Sequence, residues 1–191
     1  MNDNLSVLDK QLFDIYNILQ HLSLSRPFSI MPTVIIPQPA SAFIALSNPV
    51  VKVLHGCIAN SMALCQITQA AHWGLVSREF FSLHEAFGDQ YTALFESVDW
   101  FAERIRALGS HVDSAYLYNA LQMSGMEGIQ APMECQAIIR ALLVVHEKNI
   151  GDLSNAARIA KEAGDTVTEN ALLTYIETEQ KTAWMLRSCL E

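Results

Sequence analysis

Along most of this chain, apolar residues recur at the three-and-four spacing of a helix that buries one face. In residues 5–22 the positions Leu5, Leu8, Leu12, Ile15, Ile18, Leu19 and Leu22 form one stripe and predict a helix. Then comes SLSRPFSIMPTVIIPQPASAF, with Pro27, Pro32, Pro37 and Pro39. Proline fixes φ and removes a backbone donor, so this stretch reads as an extended, turn-rich linker. Its Ile and Val content predicts that it lies against a surface, its own subunit's or another's.

Ser47-Asn48-Pro49 offers a capping residue and then proline at the first helical position. The first long helix is expected to run from there to about Val76. Ser77 caps a second, with Glu79 in its first turn, that ends at Gly109. Both approach about thirty residues, the length a four-helix bundle needs. A short helix around Asp113 to Leu121 is expected between Gly109 and the pair Gly125 and Gly128. Pro132 opens a third long helix reaching about Ala163, Gly164-Asp165 ends it, and Thr166 to Leu190 form the fourth. The expected architecture is all-α: a four-helix bundle over 48–191 with a short helix in its long crossover. An N-terminal extension over 1–47 precedes it, made of the extra helix and the Pro-rich linker.

Composition narrows the class. The chain has 191 residues, 51% of them hydrophobic, with 8 Gly and 6 Pro, which suits one packed helical domain. No uninterrupted apolar run reaches the roughly 18 residues of a membrane span. MNDNLSVLDKQ has no basic stretch leading into an apolar segment, so no secretory leader is expected. Cys57, Cys65, Cys135 and Cys189 are scattered and read as reduced core thiols of a cytoplasmic protein. The net charge is −8, and the first 25 residues carry one base, Lys10, against Asp3, Asp9 and Asp14. The other end carries Arg187 but finishes in Glu191.

The candidate chemistry lies in HWGLVSREFFSLHEAFGDQYTALFESVDWFAERIRALG, His72 to Gly109. His84 follows His72 by twelve residues, Asp99 follows His84 by fifteen, and Glu103 follows Asp99 by four. Two imidazoles and two carboxylates bind borderline first-row cations such as iron. Asp99 and Glu103, at i and i+4, lie roughly 40° apart on one helix face. A lone His near a helix end is ordinarily structural, and Glu103 has a salt-link alternative in Arg106 or Arg104. Asp99 sits among Phe95, Val98, Trp100 and Phe101, so it must be exposed, paired or metal-bound. The joint spacing favours metal.

These motifs carry a family resemblance. HW at 72–73, FxxLHE at 80–85, DxxxAERIxALG at 99–109 and the tail KTAWMLRSCLE resemble the Dps family, the ferritin-like miniferritins, over roughly residues 48 to 191. The resemblance implies a ferritin-like bundle, a homododecameric cage and a ferroxidase centre across a two-fold subunit interface. His72 and His84 would come from one subunit and Asp99 and Glu103 from its partner. Two irons per site are implied as substrate, with hydrogen peroxide the preferred oxidant, ferric iron stored inside and protection from oxidative stress as the outcome. Trp73 beside the ligands would quench radicals or pack, while Trp184 would sit at a subunit contact. Asp165 and Glu169, at the start of the last helix, would line a cation pore; the plain alternative is that they complement the helix dipole.

One position departs from the pattern. Where the family carries a carboxylate four residues after the second histidine, this chain has Gly88. Asp89 lies about 140° round the helix from His84 and does not simply substitute. Either the backbone distorts so that Asp89 or Glu85 reaches the metal, or the second iron position is weak. The rival readings are a structural cage with an impaired centre, and a larger di-iron carboxylate protein. The latter uses Glu-x-x-His pairs, which this chain lacks.

Binding to DNA through phosphates needs a basic surface, and neither end of this chain supplies one. No stoichiometric protein–DNA complex is expected in a gel shift at neutral pH and low salt. A complex that forms there and dissolves as salt rises would overturn this reading.

Overall fold

The structure is a computed structural model that describes residues 48–129 and 134–191. The expected N-terminal helix, the Pro-rich linker and Pro132 lie outside the described residues. Among those described, the elements are α1 (Pro49–Gly74), α2 (Phe80–Ala107), α3 (Ala115–Tyr118), α4 (Ala120–Ser124), α5 (Cys135–Glu162) and α6 (Thr166–Ser188). None is a strand. The four long helices form the expected bundle, with α1 packed on α2 and α5, and α5 on α6.

α1 begins as its sequence dictates. The Asn48 carboxamide oxygen accepts the Val50 N–H at 2.9 Å, and Pro49 occupies the first turn, where no donor is needed. The helix is buried on nearly every side because it also packs against the crossover helices α3 and α4. One 18-residue window has mean hydropathy 1.4, long and apolar enough for a membrane span, although polar residues break its apolar runs; 72% of that window is buried in the bundle. It is the core helix of the fold.

Three boundaries differ from expectation. α2 starts at Phe80, because Ser77 spends its hydroxyl on the turn: it accepts the Glu79 N–H at 2.9 Å and donates to the Glu79 carboxylate at 2.6 Å. The single connecting helix is two, interrupted at Asn119. α5 starts at Cys135, after an extended Glu134. The far ends of α2 and α5 match. Gly109 and Gly164 take positive φ, 80° and 74°, and each closes a helix with the same pair of bonds. Ser110 N–H reaches Ile105 O and Gly109 N–H reaches Arg106 O; Asp165 N–H reaches Ala160 O and Gly164 N–H reaches Lys161 O. Only glycine adopts that left-handed turn without a Cβ penalty.

The core falls into two apolar halves. One gathers Leu64, Phe87, Leu94, Leu142 and Leu186; the other gathers Leu54, Ile58, Phe101, Ile105, Leu153 and Leu172. Between them each long helix contributes buried polar side chains: Ser61, Ser97, His146 with Asn149, and Glu179 with Thr182. Cys57 and Cys65 are buried and all four cysteines are free; burial, and then the charge of Asp152, push the Cys57 thiol up to about 12.

Asp165 caps α6. Its carboxylate accepts the Thr168 N–H at 3.0 Å and hydroxyl at 2.6 Å, and pairs with Arg104 at 2.8 Å. Burial would raise its pKa, but these bonds and the guanidinium together hold it below the usual value. A depressed folded pKa stabilises the fold above the ordinary carboxylate pKa, about 4, and the gain is lost as pH falls through the folded value. Asp165→Ala is expected to lower stability at neutral pH by about 1 kcal/mol. Denaturant titrations at successively lower pH should show the gap between variant and parent closing as the parent's carboxylate protonates.

Candidate metal centre

His72 lies in the last turn of α1 and His84 in the second turn of α2. The short link between them folds the helices antiparallel, and the two rings stack with centroids 3.6 Å apart and planes 19° from parallel. Phe80 stacks on His84 at 4.8 Å, and Tyr91 meets His72 edge-on at 5.3 Å. The hydrogen bonds are reciprocal. His72 Nδ1 donates to the His84 carbonyl at 2.7 Å, and His84 Nδ1 donates to the His72 carbonyl at 3.0 Å. A carbonyl only accepts, so Nδ1 carries the proton in each ring and Nε2 keeps its lone pair when the ring is neutral. Backbone clamping of Nδ1 is how proteins orient a histidine that binds metal through Nε2.

The carboxylates are free but distant. Asp99 and Glu103 are exposed, and neither makes an ion pair or side-chain hydrogen bond among the described residues. Their expected salt-link partners are engaged elsewhere. Arg104 reaches across to Thr168 and Asp165 at 2.8 Å each, and Arg106 donates to Ser110 O and meets His111 Nδ1, also at 2.8 Å. Along α2, Asp99 lies fifteen residues beyond His84, roughly 22 Å at 1.5 Å per residue. Among the described residues no three His, Cys, Asp or Glu side chains converge on one point. The four sequence-derived residues therefore fall into two separate groups, His72 with His84 and Asp99 with Glu103.

The remaining candidates are placed as follows. Trp73 is 71% exposed beside His72, so it does not pack in its own subunit's core. Asp89 and Glu85 are exposed, and α2 continues past them and Gly88 without a break. Backbone distortion at Gly88 is absent. Glu169 sits 3.7 Å from Lys161, and Asp165 is committed to its cap. Trp100 packs edge-on to Phe101 at 5.5 Å and to Tyr175 at 5.7 Å, as a core residue does. Trp184 is exposed on α6.

The sequence reading missed a second constellation inside the bundle. His146 Nδ1 bonds the Glu179 carboxylate at 2.6 Å, and both residues are buried. His146 Nε2, Asn149 Oδ1 and Gln90 Oε1 are buried without a hydrogen-bond partner, and all three residues line one cavity of about 410 Å³. Each orphaned atom costs about 1–3 kcal/mol if nothing fills the cavity. A signal was present: in ALLVVHEKNIGDL, His146 and Asn149 share the apolar stripe of Leu142, Val145 and Leu153.

The comparisons agree with this fold. A model of the ferritin-like domain matches residues 51–191. A DNA protection during starvation protein from Porphyromonas gingivalis is 31% identical over 141 residues, covering 72% of this chain and 86% of that protein. The crystal structure of Dps from Staphylococcus aureus superposes with a TM-score of 0.70 at 30% identity, over 74% of this chain and 95% of that one. Dps from Vibrio cholerae, described as a member of a broad superfamily of ferritin-like diiron-carboxylate proteins, gives a TM-score of 0.69 at 25% identity, over 74% and 89% of the two chains. The chain is a ferritin-like protein. Within that class it belongs to the Dps family.

Gly88 lies on α2 beside the stacked histidines. A Cβ there would meet His72 Cε1 at 3.5 Å and Nδ1 at 3.7 Å, ordinary van der Waals contact, and its φ is not in the left-handed region. Gly88→Ala therefore restores helix propensity without a clash. It is expected to raise stability by about 1 kcal/mol in chemical denaturation; a destabilised variant would mean that the His72–His84 stack needs the gap.

Proposed function

We propose that this chain is a miniferritin subunit that binds Fe(II), oxidises it with hydrogen peroxide and stores ferric iron inside a homododecamer, protecting against oxidative stress. One observation carries the reading. His84, Phe95, Asp99 and Glu103 share a face of α2, the last three roughly 20°, 60° and 100° round from the first. A two-fold axis crossing α2 near Thr92, midway between the half-sites, sets the His72–His84 pair of one subunit against Asp99 and Glu103 of the partner subunit. Apolar surface fit for burial lies where such a seam would run: Phe95 is 59% exposed, Phe81 87% and Trp73 71%.

The donors suit the substrate. Two imidazole lone pairs, and two carboxylates that pair with nothing among the described residues, suit Fe(II), and the carboxylates suit the harder Fe(III) still better. Hydrogen peroxide takes one electron from each of two Fe(II) and two protons, its O–O bond breaks, and it leaves as two waters without releasing hydroxyl radical. The residues bind the ions and hold the half-sites in register; the electrons come from iron. Trp73, beside His72, is placed to reduce a stray oxidant. An acidic pore lining at the α6 corner falls to Glu169, since both Asp165 oxygens are in use. We place the activity in the cytoplasm, where free thiols persist. Protection of DNA would come from removing iron and peroxide.

Gly88 supports a second reading, a cage whose ferroxidase centre is impaired. Anaerobic Fe(II) titration of the assembled protein, then stoichiometric peroxide with ferric absorbance recorded, separates the two. We expect about one tightly held iron per site, with the second Fe(II) bound only transiently as the pair is oxidised faster than in buffer, and about two held tightly after Gly88→Asp supplies a carboxylate. His84→Ala and Asp99→Asn should each return the rate to that of buffer. A parent protein no faster than buffer would leave the impaired cage in place of the ferroxidase.

A further inference from the structure

The cavity in the middle of the bundle is built from all four long helices and lies on the polar layer that divides the core. α1 contributes Ser61, α2 Gln90 and Ser97, α5 His146 and Asn149, and α6 Glu179. His146 and Asn149 are each 1% exposed. The three orphaned atoms are alike in kind: an imidazole Nε2 and two carboxamide oxygens, all electron-pair donors. The Glu179 carboxylate accepts the His146 Nδ1–H at 2.6 Å, so the neutral ring is held as the tautomer whose Nε2 lone pair is free. That carboxylate–imidazole relay is the support a metal-binding histidine receives from behind. A cavity of about 410 Å³ holds several waters, each with two hydrogens to give, so water is the competing occupant. A cation would take electron pairs from all three orphaned atoms.

We propose that this cavity is a second metal site, internal to each subunit, that binds one first-row divalent cation through His146 Nε2, Asn149 Oδ1 and Gln90 Oε1, with Glu179 orienting the histidine. Mixed imidazole and carbonyl oxygen donors suit such ions. Exposed Glu96 lines the same cavity between α2 and α6 and marks the route in. This site shares no ligand with the His72–His84 corner, so it does not depend on any subunit interface.

Co(II) binding to the assembled full-length protein tests it, in a His72→Ala/His84→Ala background that removes the other histidine pair. The background protein should retain one Co(II) per subunit, with an anomalous diffraction peak in the bundle cavity. Adding Asn149→Leu, which replaces an orphaned amide by an apolar side chain of similar size, should weaken Co(II) binding at least tenfold while the protein still assembles. Adding Glu179→Gln should weaken it 10- to 100-fold through the histidine. No retained Co(II), an anomalous peak only elsewhere with water in the cavity, or an Asn149→Leu protein that binds as its parent does would each overturn the assignment.

Discussion

An α-helix rises about 1.5 Å per residue, and this sets the terms for everything α2 carries. His84 and Asp99 share a face but stand roughly 22 Å apart along the axis, so no side-chain rotation within a subunit joins them. A metal held by both needs two copies of α2 running in opposite directions. The same rise makes that arrangement self-consistent, because an axis midway between the half-sites completes two sites at once. Isologous contacts of this kind are the commonest in homo-oligomers. Exposed Phe81 and Phe95 on α2 are the apolar surface that such an arrangement would bury.

The His72–His84 clasp serves structure and chemistry through the same bonds. Each imidazole bonds a backbone carbonyl: that of His72 lies in the last turn of α1, where the ladder leaves acceptors unpaired, and that of His84 accepts the ring N–H in addition to its place in the α2 ladder. Each carbonyl in return fixes which ring nitrogen is free. The same two bonds thus tie the α1–α2 corner and set the tautomer of both rings. His55 shows the purely structural use of the same residue: Nδ1 donates to Val51 O and Nε2 accepts the Asp113 N–H, leaving no lone pair for a ligand. His146 stands with the first pair, one nitrogen held and the other free.

The long helices are legible in the sequence because capping and left-handed closure are local chemistry: Asn48-Pro49, Gly109 and Gly164 act on their immediate neighbours. The four candidate ligands are legible because their spacing is counted along one hairpin. What local pattern does not carry is partnership across the bundle. Arg104 looks like a partner for Glu103, yet it reaches Asp165, 61 residues away. The bond between His146 and Glu179 spans 33 residues, so each alone reads as one polar interruption in an apolar stripe. The connecting helix breaks at Asn119 although its periodicity continues, since four- and five-residue helices take their form from packing on α1 more than from propensity.

Gly88 separates what the fold requires from what the site requires. Glycine in a helix interior costs about 1 kcal/mol relative to alanine, and such a cost is ordinarily explained by a positive φ or a backbone that comes too close for a Cβ. Neither holds here: φ is ordinary, and the nearest atoms to a Cβ stand at 3.5 Å and 3.7 Å, both on the His72 ring. Packing does not demand glycine, and the helix would be better without it. The consequence of the residue falls on the histidine instead. A side chain at this position would lie beside the His72 imidazole, and glycine leaves that edge of the ring uncovered. The departure from the expected sequence pattern therefore disturbs neither the course of α2 nor the stacked histidines.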